Sequence, residues 1–225
     1  KFNFYKKKYK KIKKKINIIV NNNIIYASDN LGYIYSFNLK ENRIVWAKNL
    51  KIPFRSNLKL LNNKLIVSDQ NNQLYFINKN NGDILKIIPT EETIIKNNFM
   101  NNLSSSEDFI FFINTYGTLY SISNKSMNIN WVLNLNQSSG LNPSDLFIGT
   151  PLINDRNKIV ISTNNFTYII DSVTGVIIHK KNFTTHLKSI LNNNHLFTIT
   201  KNNLLIMMDI NTGKIIYSYN INQQI

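Results

Sequence analysis

Three histidines, twelve carboxylates and a scatter of serines are what this 225-residue chain offers for acid–base, nucleophilic or metal chemistry. His179, His186 and His195 stand in neither H-x-H nor H-E-x-x-H spacing, the patterns that bring two imidazoles to one metal. Most of the acids fall in turn-like sequence, where solvation or capping accounts for them. A calcium cage would need several carboxylates converging from neighbouring loops. Glu91 and Glu92 are adjacent, but adjacency along the chain does not set two carboxyls across a scissile bond. Ser104–Ser106 and Ser138–Ser139 read as loop serines, since neither G-x-S-x-G nor a phosphate-cradling glycine loop occurs. There is no cysteine, which excludes disulfides, thiolate metal sites and a thiol nucleophile. The expectation is that no catalytic, cofactor-binding or metal-binding residue is present.

The net charge of +15 is uneven, because residues 1–15 hold nine lysines and no acid. They form a basic N-terminal segment ahead of residues 16–225. Nearly all the basic residues are lysine, with arginine only at Arg43, Arg55 and Arg156. A nucleic-acid site favours arginine for bidentate phosphate and guanine contacts, so no nucleic-acid partner is expected. A solvated basic tail, or attraction to an anionic membrane surface or acidic partner, accounts for the arm. No apolar run approaches the 18 residues of a membrane-spanning helix. The chain opens on Lys1 rather than methionine and reads as a fragment or processed form, so a missing signal peptide is silent on export.

The elements that would position any site emerge from self-comparison. A window of 23 residues recurs without gaps at 24–46, 64–86, 109–131, 157–179 and 195–217. Each copy opens on a β-rich stretch and reaches a turn position filled by Gly32, Asn72, Gly117, Asn165 or Asn203. Glycine and asparagine tolerate positive φ, which predicts a tight hairpin at all five. A second strand follows with Tyr35, Tyr75, Tyr120 and Tyr168 at its centre, replaced by Ile206 in the last copy. Three residues on comes a small polar residue, Asn38, Asn78, Ser123, Asp171 or Asp209, suited to cap the next turn. Gly82, Gly175 and Gly213 sit four residues further, with Asn42 and Met127 in the other copies. A third strand then carries Trp46, Lys86, Trp131, His179 or Tyr217. The spacers supply a fourth strand, with candidates at Lys13–Val20, Asn57–Leu61, Phe147–Ile153 and Leu187–Leu191. In the spacer 87–108, Glu91–Leu103 reads as a loop with a helical turn. Four strands per unit, a period near forty and no helical periodicity predict an all-β fold, a β-propeller of four-stranded antiparallel blades. A β-sandwich is the alternative, but it has no need for gapless copies of one pattern.

The turns Asp171-Ser-Val-Thr-Gly175 and Asp209-Ile-Asn-Thr-Gly213, with Gly32–Phe37 and Gly117–Ile122 upstream, resemble the PQQ-like repeat. That repeat forms the blades of quinoprotein alcohol dehydrogenases and of BamB-type outer-membrane assembly factors. The resemblance runs over about residues 17–221. It implies that the aromatic after the glycine docks between blades, where Trp46 and Trp131 match and Lys86, His179 and Tyr217 depart. About five blades are present, a partial propeller beside the roughly eight of such proteins.

For the dehydrogenases the resemblance implies a carboxylate base, a calcium cage, an arginine near the quinone and often a vicinal disulfide, and this sequence offers little of that set. For the BamB type it implies a non-catalytic periplasmic scaffold associated with the outer membrane through a lipid anchor outside this sequence. Such a scaffold docks the POTRA-containing barrel-assembly subunit and can hold nascent outer-membrane proteins by edge pairing. The longest spacer, with Leu141, Asn142, Asp145, Leu146 and Phe147, is the candidate partner loop. The expected function is therefore protein–protein interaction in β-barrel assembly. The alternatives are a degenerate quinoprotein dehydrogenase and a propeller for another envelope partner.

Overall fold

A computed structural model describes Tyr9 and residues 11–91, 102–136, 147–185 and 187–224. Among the described residues twenty strands form five four-stranded antiparallel sheets, each in sequential order. Blade 1 comprises β1 (Ile16–Asn21), β2 (Ile24–Asp29), β3 (Tyr33–Asn38) and β4 (Arg43–Asn49). Blade 2 comprises β5 (Lys59–Leu61), β6 (Lys64–Ser68), β7 (Leu74–Asn78) and β8 (Ile84–Ile88). Blade 3 comprises β9 (Asn102–Ser105), β10 (Phe109–Ile113), β11 (Thr118–Ser123) and β12 (Ile129–Asn134). Blade 4 comprises β13 (Ile153–Asp155), β14 (Lys158–Ser162), β15 (Thr167–Asp171) and β16 (Ile177–Lys181). Blade 5 comprises β17 (Ile190–Asn192), β18 (His195–Ile199), β19 (Leu204–Asp209) and β20 (Ile215–Asn220), followed by a short 3-10 turn.

The second, third and fourth strands of every blade fall where the repeat places them. Their residues are β-branched and aromatic, which suits a pleated surface covered on both faces. The first strands are shifted, and in blades 2 to 5 they are shorter, with three or four residues against six in β1. In blade 3 this strand is β9, just before the window, in a spacer read as loop and helical turn; residues 92–101 of that stretch lie outside the described residues. In blade 4 it starts only at Ile153, because Phe147 and Leu152 go into the core instead.

The hairpin at Asn165 also differs from expectation. Gly32, Asn72, Gly117 and Asn203 have φ of 82°, 64°, 82° and 57°, whereas Asn165 does not adopt positive φ. The blade 4 hairpin is one residue shorter than the others, since Ser162 pairs directly with Thr167. It closes through the Thr163 amide donating to the Phe166 carbonyl at 2.8 Å, which needs no left-handed residue.

The buried core lies between blades. One cluster joins blades 1 and 2 around Ile34, Trp46, Leu65 and Tyr75. A second joins blades 2 and 3 around Phe76, Ile110 and Phe112. A third joins blades 3 and 4 around Phe111, Phe147 and Tyr168, and a fourth joins blades 4 and 5 around Ile169, Leu196 and Met208. Among the described residues no buried cluster joins blade 5 to blade 1. A lone sheet with two apolar faces cannot be stable in water, and radial stacking covers each face with the next blade.

Candidate functional site

The recurring polar and aromatic positions form one contact, used from blade to blade. The small polar residue at the end of each third strand accepts from the turn that follows it. Asn38 Oδ1 accepts from the Lys40 amide at 2.9 Å, and Asn78 Oδ1 from the Asn80 amide at 2.9 Å. Asp171 Oδ1 accepts from the Thr174 and Val173 amides at 2.8 and 3.0 Å, and Asp209 Oδ1 from the Asn211 and Thr212 amides at 2.7 and 2.9 Å. These donors hold both carboxyls below the usual carboxylate range, the Thr174 amide first for Asp171 and the Thr212 amide first for Asp209. Each capped turn then passes through a left-handed residue: Gly82, Gly175, Gly213, Asn42 or Met127, with φ between 51° and 76°.

Onto that turn folds the ring of the preceding blade. A Cβ on Gly82 would come within 2.5 Å of Trp46, and one on Gly175 within 2.7 Å of Trp131. Trp46 Nε1 donates to the Lys79 carbonyl at 2.8 Å, and Trp131 Nε1 to the Ser172 carbonyl at 3.1 Å. Trp131 also stacks on Phe111, centroids 6.3 Å apart. His179 does the same work with a smaller ring, lying against Gly213 with Nε2 2.9 Å from the Asn211 carbonyl. Lys86 reaches the same place through its ammonium, donating to Asn128 Oδ1 at 2.6 Å. Tyr217 meets no following turn among the described residues; it is half exposed and stacks on Tyr219.

Sequence reading missed two features of this contact. The first is a β-bulge in every blade at one position, with Val45, Leu85, Asn130, Ile178 and Ile216 the extra residues. Each directly precedes the docking residue, and a bulge re-aims the side chain that follows it. The second is a capping position ahead of each of the first three hairpins. Asp29 Oδ1 accepts from the Leu31 and Tyr33 amides at 2.8 and 2.9 Å, and Asp69 and Asn114 do likewise. The recurrence of Asp29, Asp69 and Asn114 at the sixth place of their windows was the available signal.

The tyrosine column lies beside these caps. Tyr75 donates to Asp69 Oδ2 at 3.0 Å, and its pKa is raised by burial and by that carboxylate. Burial, with the charge of Glu91 second, pushes Tyr120 up to about 12. The Tyr168 hydroxyl is buried without a hydrogen-bond partner among the described residues. Tyr35 is half-buried on β3. Of the candidate partner loop, Leu141, Asn142, Asp145 and Leu146 lie outside the described residues, as does His186. Phe147 is 1% exposed and packs over Gly117, which would bring a Cβ within 2.4 Å of its ring. It is a core wedge at the end of that loop and presents no surface to a partner.

No group of three or more His, Asp or Glu side chains converges on a possible metal position among the described residues. The buried acids Asp29 and Asp69 each turn Oδ1 to two backbone amides of their own hairpin, a capping role. Among the described residues that donor set does not fit the calcium and quinone of the dehydrogenases sharing this repeat.

Repeat and docking geometry together define a PQQ-like β-propeller. A family model described as outer membrane protein assembly factor BamB matches residues 10–219, and the chain belongs to that family. Among solved structures it is similar to BamB from Moraxella catarrhalis, with 10% identity and a TM-score of 0.70, over 92% of this chain and 64% of that one. It also resembles the quinohemoprotein alcohol dehydrogenase from Comamonas testosteroni, with 11% identity and a TM-score of 0.66, over 91% of this chain and 42% of that one. A europium-containing methanol dehydrogenase superposes with a TM-score of 0.71 at 11% identity, over 91% of this chain and 50% of that one. The chain thus spans less than two thirds of each of these relatives, and at such identities the likeness is one of fold. Among curated protein sequences none matches.

Proposed function

We propose that the chain is a non-catalytic scaffold of outer-membrane β-barrel assembly, working in the periplasm at the outer membrane. Its partners would be the POTRA-containing assembly subunit and unfolded barrel proteins. The observation that carries this reading is the outer rim. Among the described residues, the last strand of every sheet, β4, β8, β12, β16 and β20, has no neighbour on its outer edge. Four of these strands expose an apolar bulge residue: Val45, Leu85, Ile178 and Ile216. An unpaired edge flanked by apolar side chains is a template for another extended strand. Family membership supports the same reading, and within it the segment Leu141, Asn142, Asp145 and Leu146 is the proposed docking loop for the assembly subunit.

The test is affinity capture from bacterial envelopes, with a variant carrying Lys at positions 45, 85, 178 and 216. The native chain is expected to recover the POTRA-containing subunit and to retain an unfolded barrel protein that the variant releases. Recovery of no assembly subunit would sink the proposal. So would dye-linked alcohol oxidation by the purified chain on addition of PQQ and calcium, which would return it to the dehydrogenase class.

A further inference from the structure

The fifth repeat departs from the pattern at the positions that fill the space between blades in the second. In blade 2 the Tyr75 ring occupies the space beneath the β6–β7 hairpin, its hydroxyl 3.0 Å from both Asp69 Oδ2 and Gln73 Oε1. Phe54 packs edge-on against it, centroids 6.1 Å apart. The corresponding residues of blade 5 are Ile206, Thr200 and Leu204, and Thr185 bridges Thr200 as Phe54 bridges Asp69. Phenol, carboxylate, amide and supporting ring are all replaced by smaller or apolar groups. Between blades 4 and 5 lies a cleft of about 580 Å³ with Ile206, Leu204 and Phe183 among its walls.

The chemistry of the lining is one-sided. Lys181 and Lys201 both border the cleft, and among the described residues no carboxylate does. Neither ammonium makes a hydrogen bond or ion pair among the described residues. The Lys181 ammonium lies against the Gly213 turn, where a Cβ would come 2.9 Å from Nζ. Asn165, Asn182 and Asn202 also border the space, and their side-chain amides are likewise unengaged among the described residues. Asparagine amides offer a donor and an acceptor together, which matches a peptide backbone.

We propose that this cleft binds an extended peptide segment bearing an aromatic residue next to a carboxylate. The guest ring takes the volume that Tyr75 fills in blade 2, over Ile206 and Leu204. The carboxylate lies between Lys181 and Lys201, and the asparagines pair with the guest backbone. A volume of this order accommodates a few residues. The site is independent of the barrel-assembly reading, because the purified chain needs no assembly subunit to bind a peptide.

Fluorescence anisotropy with a labelled, end-capped hexapeptide centred on Phe-Glu tests it. Versions centred on Ala-Glu or Phe-Gln are expected to bind about tenfold more weakly. Ile206→Tyr, which restores the repeat and refills the cleft, is expected to cut affinity about tenfold or more with Tm unchanged or raised. Lys181→Gln with Lys201→Gln should weaken binding similarly and abolish its salt dependence. Binding unaffected by Ile206→Tyr would overturn the proposal, as would equal affinity for the Ala-Glu peptide or no binding by the native chain. Phenylpropionate binding as tightly as the hexapeptide would overturn the assignment to a peptide. If the Ile206→Tyr variant does not fold, the lysine pair decides: unchanged affinity there refutes the site.

Discussion

A single position shows how much chemical variety one contact tolerates. Trp46, Trp131 and His179 all rest on the following blade's left-handed glycine and offer a ring nitrogen to a carbonyl of its turn. What is held constant is a flat ring with a polar edge, and histidine meets that condition with less buried area. The cap beneath is electrostatic. Asp171 is held below the usual carboxylate range by the Thr174 amide first, with the Thr174 hydroxyl and the Val173 amide adding to it. A depressed folded pKa means the ionised form stabilises the fold. That contribution is complete above the unfolded value of about 3.9 and is lost as pH falls through the lower folded value. Asp171→Asn should therefore flatten the acid side of the stability profile below about pH 4. At neutral pH it should cost only about 0.5–1 kcal/mol, because the group faces solvent. Urea midpoints for both proteins across that range measure it; parallel acid slopes would show that the cap carries no charge effect. The docking and capping residues were legible in the sequence because they recur in register. The hairpin caps Asp29, Asp69 and Asn114 recur too, but their role is local backbone bonding, which apolar periodicity does not register.

At the scale of strands and turns, the inner strand is the element that sequence placed worst. β5, β13 and β17 are three residues each, too short for alternation to mark. Phe147 illustrates the cost: in a spacer it looks like a partner anchor, yet the blade 3 hairpin leaves a gap over Gly117 that its ring fills. The bulges were invisible for another reason. They are an offset between two strands, a property of pairing that no single strand carries. The glycine turns were readable, and their stringency can be measured. Gly175→Ala would place a Cβ at φ 76° and 2.7 Å from Trp131. The left-handed backbone alone costs about 1–2 kcal/mol, and the ring must also move, so a loss of at least about 2 kcal/mol is expected. Asn42→Gly is the control. It has φ 51° with no preceding blade's ring above it among the described residues, and should be neutral or slightly stabilising. Equal effects of the two substitutions in denaturant unfolding would mean that the ring contact contributes nothing.

Across the whole molecule, stability should follow neighbours rather than strand sequence. In a stacked array each unit is held by its own sheet and by the interfaces on either side. Blades 2, 3 and 4 have a buried cluster on both faces, whereas blade 5 has one only on the face toward blade 4 among the described residues. Its other face leaves Phe197 at 37%, Leu205 at 36% and Tyr217 at 50% exposure, while the equivalents Phe111 and Leu119 of blade 3 are fully buried. β19 (LLIMMD) is more apolar than β11 (TLYSIS), so sequence alone would give it at least equal protection. The array predicts otherwise. Native-state amide exchange should show β10, β11, β14 and β15 opening only with global unfolding, and β18 and β19 opening earlier through a smaller unit. Burying the side chains of that face is worth about 1.5–3 kcal/mol each, so the difference should be well resolved. Substituting Trp131 by Ala weakens the interface between blades 3 and 4, and protection should then fall in both blades at once. If β18 and β19 instead exchange with the same free energy as β10 and β11, the chain unfolds as one cooperative body. The nearest-neighbour account of how these blades hold together would then be wrong.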